Sequence, residues 1–162
     1  MSESSFQFTA LLEADALADV GTPGNLLVVA SFSERQKSRH KTQTQCGKPV
    51  GWFLPRGLVL KEGDVLLCRS GETIAIQAAP EDGSQVSSSD ALKLMTAAYH
   101  LGNRHVPRQI GPGLLRYQRD HVLDAMLEGL GLEVQHVLLP FQPEPGAYHG
   151  KSILQIDGGH HH

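Results

Sequence analysis

Nine histidines stand in a chain of 162 residues, about twice the usual share, and three of them are consecutive at the end. Imidazole is the commonest protein ligand for zinc, copper, iron and nickel. The two cysteines, Cys46 and Cys68, form no Cys-x-x-Cys pair. The surplus therefore points to a borderline divalent metal bound through nitrogen. A catalytic metal site needs about three protein ligands held rigidly around an open position. No such trio of His, Asp and Glu is visible at helical or hairpin spacing, and neither a His-Glu-x-x-His helix, a Walker loop nor a nucleophile elbow occurs. Metal binding without catalysis is the first reading. A small metal-dependent hydrolase using His100, His105 and Asp120 or His121 is the second.

The histidines differ in what surrounds them. His105 follows Gly102-Asn-Arg104, where a helix hands over to a strand, and reads either as a ligand on a loop or as a histidine bonded to backbone. His100 lies one helical turn earlier and reads as structural or solvated. His121 falls on one helix face with Asp124 and Glu128, a solvated face on which a carboxylate could also help hold a metal. His40 sits in the basic run Arg35-Gln-Lys-Ser-Arg-His-Lys41, a solvated strand or loop, or a contact for an acidic partner. His136 is expected to pack within a strand. His149 opens a tail ending in His160, His161 and His162, which fits a natural metal-collecting segment and an appended affinity tag equally well.

Two kinds of patterning position these residues. From Phe6 to Ala79, extended runs alternate with Gly and Pro turns: Asn25–Ala30, Pro49–Leu54, Gly57–Leu60, Val65–Arg69 and Thr73–Ala78. This predicts an all-β domain over 1–79, a small sandwich or barrel. Pro80-Glu-Asp-Gly83 reads as a boundary turn. Beyond it, Ser87-Ser-Ser-Asp90 offers N-caps for a helix with an apolar stripe at Leu92, Met95, Ala98 and Tyr99, stopped by Gly102. A hairpin around Gly111-Pro-Gly113 follows, then a helix through Leu123 and Leu127 ended by Gly131, then a strand over Leu132–Leu139. With a strand at Ser84–Ser87 the order is βαββαβ, so 80–141 is expected to be ferredoxin-like and the whole α+β. Residues 142–162, rich in Pro and Gly, are expected to be a flexible tail.

Composition narrows the classes. With 40% hydrophobic and 19% charged residues, the chain can build a core. A net charge of -3 excludes a strongly basic nucleic-acid surface. The longest apolar run, Leu26–Ala30, is far short of the roughly 20 residues of a membrane span, so no membrane partner is expected. Residues 2–20 carry four acidic residues and no Lys or Arg, unlike a secretory signal, and two cysteines suit a reducing compartment, so the cytoplasm is the expected location.

Ala98-Tyr-His-Leu-Gly-Asn-Arg-His-Val-Pro107 resembles the urease accessory protein E family of nickel metallochaperones. The likeness continues through Gln109-Ile-Gly-Pro-Gly113, Asp120-His-Val-Leu-Asp124, Gly51-Trp-Phe-Leu-Pro-Arg-Gly57 and Pro140-Phe-Gln-Pro-Glu144. It implies a partner-binding β domain, then a metal-binding and dimerising domain. The resemblance further implies that His105 meets its copy across a homodimer axis to bind Ni²⁺. Two-fold symmetry turns one imidazole into two ligands, and His149 and His160 to His162 would complete the shell. Where several relatives carry His-x-His, this chain has Arg119-Asp-His121, and a guanidinium cannot coordinate, so His121 is a weak ligand only. Zn²⁺ or Cu²⁺ could replace Ni²⁺ at nitrogen ligands. The implied partners are the urease accessory GTPase and the urease apoprotein complex. Because a ligand imidazole must be neutral, nickel binding is expected to weaken as pH falls through roughly 6.5.

Overall fold

Turn chemistry and alternating burial lay out the first half of the chain. The computed structural model describes residues 6–11 and 26–146. Strands β1 (Phe6–Leu11), β2 (Leu27–Ala30), β3 (Arg39–Gln43), β4 (Pro49–Phe53), β5 (Val65–Cys68) and β6 (Thr73–Ala78) form one mixed sheet in the order β2-β6-β5-β1-β4-β3. In this order β2 and β3 stand last at either end, and the Gln45 N–H, just past β3, donates to the Leu27 carbonyl of β2 at 2.8 Å, so the two ends meet. Both β1 with β4 and β2 with β6 run parallel, pairings that need long crossovers. Phe8, Val50, Trp52, Leu66 and Ile74 are among the residues that fill its core. A short helix, α1 (Phe32–Arg35), opens on a capping box: Ser31 Oγ accepts from the Glu34 N–H, and the Glu34 carboxylate accepts from the Ser31 N–H.

One local expectation fails here for an identifiable reason. Gly57–Leu60 is not a strand. Gly57 turns the chain at φ 85°, and the Leu60 N–H is taken by the Arg35 carbonyl at 3.0 Å. Of the two alternatives read for the basic run, strand or loop, Arg39–Gln43 is a strand, and its alternating exposure tolerates its charges.

The second half contains β7 (Pro80–Ser87), α2 (Ala91–Asn103), β8 (Arg108–Gly111), β9 (Leu114–Gln118), α3 (His121–Gly129) and β10 (Val134–Pro140). The four strands form a second sheet ordered β10-β7-β9-β8, with β9 antiparallel to both β7 and β8. Pro80–Gly83, expected as a turn, is the first half of β7. The Gly83 position is pressed against the Tyr117 carbonyl, so it pairs in the sheet instead of turning. The chain divides into two compact units, one through Glu81 with Leu138–Phe141, the other Asp82–Val137 with the residues after Phe141.

Each helix of the second unit starts on an aspartate. Asp90 Oδ1 accepts from the N–H groups of Leu92 and Lys93, and Asp120 Oδ1 from those of Val122 and Leu123. Leu94, Ala97 and Leu101 of α2 and Leu123 and Leu127 of α3 cover Val86, Leu115 and Tyr117. Gly102 does not stop α2. A Cβ there would lie 3.2 Å from Nη2 of Arg108, so the glycine admits that guanidinium and the helix runs on to Asn103.

Candidate metal centre

His105 follows α2, which ends on a Schellman motif. The N–H of His105 donates to the Gly102 carbonyl at 3.0 Å, and that of Val106 to the Leu101 carbonyl at 3.3 Å. The motif requires a left-handed residue between the two, and His105 supplies it at φ 55°, the one non-glycine among the described residues with positive φ. Glycine normally takes this place because a Cβ in the left-handed region costs roughly 1–2 kcal/mol. The imidazole itself is exposed. A local strain borne by an exposed, ionisable side chain is the pattern of a functional residue.

The helix leading to His105 carries two apolar stripes. Leu94, Ala97, Ala98 and Leu101 face the core, whereas Leu92, Met95 and Tyr99 are 68%, 63% and 65% exposed. Sequence spacing grouped Ala98 with the exposed three. Side chains at 92, 95 and 99 lie along one line of the helix, and the next turn brings the chain to Asn103 and then His105. An outward apolar line therefore ends beside the exposed imidazole.

His100 is half-buried, its ring edge-on to Tyr99 with centroids 5.4 Å apart. His121 is exposed in the first turn of α3, directly after the Asp120 cap. Asp124 does not share a solvated face with it. The Asp124 carboxylate is buried, taking the Tyr117 hydroxyl at 2.6 Å and facing His136 Nε2 at 3.2 Å. A carboxylate has only acceptors, so Nε2 of His136 carries the hydrogen. Burial pushes the Asp124 carboxyl up, but the bonds from Tyr117 and His136 outweigh it and leave it below the ordinary aspartate value. The same burial and the same carboxylate push the Tyr117 phenol well above its usual range. His136, expected to be packed, is 52% exposed at its side chain and takes its order from Asp124. This buried network escaped sequence reasoning, since no spacing rule links residues 117, 124 and 136.

His40 is half-buried. Its Nε2 lies 3.0 Å from Glu34 Oε2 and its ring leans on Trp52. His149, His160, His161 and His162 lie outside the described residues. Among the described residues no three His, Cys, Asp or Glu side chains converge on a point that could hold an ion. The trio required by the hydrolase reading is therefore missing from the described residues, and His105 is the candidate ligand that helix geometry singles out.

Residues 11–79 match the sequence model of the UreE urease accessory protein N-terminal domain, and residues 81–162 that of the C-terminal domain. The urease accessory protein UreE of Teredinibacter turnerae is 55% identical over 133 residues, 82% of either chain. That of Vibrio parahaemolyticus is 46% identical over 157 residues, 96% of this chain and 98% of its own. The Proteus mirabilis protein of the same name is 53% identical over 125 residues, 77% of this chain and 78% of its own. The chain belongs to the UreE urease accessory protein family.

Proposed function

We propose that the protein is a nickel metallochaperone, not an enzyme, that collects Ni²⁺ and delivers it for assembly of the urease metallocentre. The observation that carries this reading is the exposed imidazole of His105 on a left-handed backbone at the end of the Leu92, Met95, Tyr99 line. One imidazole grips a divalent ion weakly. A homodimer formed across that apolar line would set two copies of His105 face to face, and symmetry would supply the second ligand. His149 and His160 to His162 then complete the shell, with His121 as a weak extra ligand. A site shared between chains and finished by a tail releases its cargo when either part withdraws. Zn²⁺ and Cu²⁺ would compete for the same nitrogens.

Residues 80–141 form the metal-binding and dimerising domain. We assign it the ferredoxin-like type, supported by its βαββαβ element order and the sheet order β10-β7-β9-β8. Residues 1–79 dock the partners, the urease accessory GTPase and the urease apoprotein complex, and 142–162 form the tail. Cys46 and Cys68 are both free thiols, which suits work in the cytoplasm. The test is a calorimetric nickel titration with the particle mass followed in parallel. His105→Ala should abolish the tightest site with the dimer intact. Leu92→Asp with Tyr99→Asp should give monomers that lack that site, and removal of residues 160–162 should lower capacity. Tight nickel binding that survives His105→Ala overturns the assignment.

A further inference from the structure

The strongest unexplained feature lies in the first unit, on the outer side of its sheet. Arg39 of β3 stands opposite Phe53 of β4 in the antiparallel register, and its guanidinium lies over the Phe53 ring at 4.6 Å from the centroid. Thr9 of β1, Ser38, Leu54, Pro55 and Arg56 complete an open cleft of about 630 Å³ around this pair. Phe53 is 45% exposed and both arginines are exposed, while Leu54 forms a buried floor. Among the described residues no carboxylate lines the cleft, and neither guanidinium has a carboxylate partner.

Charge is segregated around it. From Arg35 to Lys61 the chain carries Arg35, Lys37, Arg39, Lys41, Lys48, Arg56 and Lys61 and no Asp or Glu, half of its 14 basic residues in a protein of net charge -3. Two of these are occupied elsewhere: Arg35 is buried, and Lys48 pairs with Glu72 at 3.0 Å. Lys37 and Lys41 are exposed near Arg39 in sequence. A guanidinium held over an aromatic ring and exposed to solvent keeps N–H groups available, the fork that fits a planar carboxylate.

We propose that the Arg39–Phe53–Arg56 cleft is a docking site for an acidic segment of a protein partner, whose carboxylates meet the two guanidinium groups while an apolar side chain rests on Leu54 and Pro55. This deepens the partner-docking role given above to residues 1–79 and rests on it. A peptide fits better than a nucleic acid. Arg39 already occupies one face of the Phe53 ring, and two arginines are too few to track a phosphate backbone.

The test uses the full chain and a short fluorescent peptide built of Glu, Asp, Leu and Gly, against a counterpart in which every carboxylate is an amide. The acidic peptide should bind saturably, at least tenfold tighter than the amide form, and weaken as salt is raised. Arg39→Gln with Arg56→Gln should lower its affinity at least tenfold, and Arg39→Lys with Arg56→Lys should retain part of it. Both variants should keep wild-type nickel titrations and melting profiles. The proposal is overturned by absence of saturable binding, by equal binding of the amide peptide, by an unaffected double variant, or by polyphosphate, single-stranded DNA or phosphatidylserine vesicles displacing the peptide at equal charge concentration. Complex formation with the urease accessory GTPase separates the two levels. If the Gln variant still binds the GTPase normally, the cleft assignment falls and the docking role stands. If the wild-type chain does not bind it, the docking role itself falls.

Discussion

His105 and Gly131 occupy the same position in two copies of one helix-terminating motif. After α3, the Gly131 N–H donates to the Glu128 carbonyl at 3.0 Å and the Leu132 N–H to the Leu127 carbonyl at 3.2 Å, the arrangement that Gly102, His105, Leu101 and Val106 repeat after α2. The left-handed residue is glycine at φ 87° in one and histidine at φ 55° in the other. The unit thus contains its own control: the backbone conformation at 105 suits glycine, and the chain carries an imidazole there.

His105→Gly should therefore stabilise the second unit and remove the tight nickel site together. Relief of a left-handed Cβ is worth roughly 1–2 kcal/mol, from which about 0.4–1 kcal/mol is subtracted for the looser unfolded glycine chain. A net gain of about 0.8 kcal/mol is expected. Urea unfolding followed by far-ultraviolet dichroism, to which α2 and α3 contribute as the longest helices among the described residues, measures it. A destabilised glycine variant would mean that the histidine side chain is a packing element.

Much of this geometry is legible in the sequence where the signal is local. Thr73–Ala78 and Leu114–Gln118 are strands with the bounds that their alternation predicts, and Gly131 ends its helix as expected. What local pattern cannot settle is a choice between equivalent answers. Leu92, Met95 and Tyr99 share the three- and four-residue spacing of Leu94, Ala97 and Leu101, and only the sheet beneath decides which line is buried. The left-handed turn at 105 hides because its usual marker is glycine, and the nearby glycine at 102 is used to seat Arg108 instead. Parallel pairing of β1 with β4, and of Asp124 with Tyr117 and His136, joins residues with no periodic relation.

The Asp124 network predicts a specific acid response. Its carboxyl is held below the ordinary value in the folded state, so the charged form binds its neighbours better than the protonated form does. The stability this contributes is fully present above the unfolded aspartate value near 3.9 and is lost as pH falls through the lowered folded value. Asp124→Asn should destabilise the second unit by about 1.5–3 kcal/mol at pH 7, the range for hydrogen bonds to a charged group. The gap to wild type should narrow as pH falls below about 3.9 and close below the lowered folded value. Tyr117→Phe should lose a similar amount at pH 7. Unfolding midpoints measured between pH 3 and 7 decide: a gap that stays constant over that range would remove the carboxylate from the account.

Arg35 makes the sharpest stability prediction for the first unit. It is 1% exposed, and its guanidinium spreads three bonds over three separate backbone carbonyls. Nε donates to Ala30 and Nη1 to Leu60, each at 3.1 Å, and Nη2 donates to Phe141, while Glu81 Oε2 stands at 4.0 Å. Glu81 is engaged independently, because the same oxygen accepts the Phe32 N–H at 2.8 Å. Arg35→Met keeps most of the volume but leaves the Leu60 and Phe141 carbonyls without this donor, each costing about 1–3 kcal/mol, while the Ala30 carbonyl keeps its bond from the Ala79 N–H at 2.9 Å. A loss of at least about 2 kcal/mol is expected, a large fraction of the stability of a marginal unit. Arg35→Lys should recover only part of it, since an ammonium donates from one point and cannot span the fork. The chain has a single tryptophan, and Trp52 is buried in this unit, so its fluorescence during urea unfolding reports the first unit without interference from the second. Equal midpoints for the Lys and Arg forms would show that charge alone, and not the three-way reach of the guanidinium, holds these carbonyls.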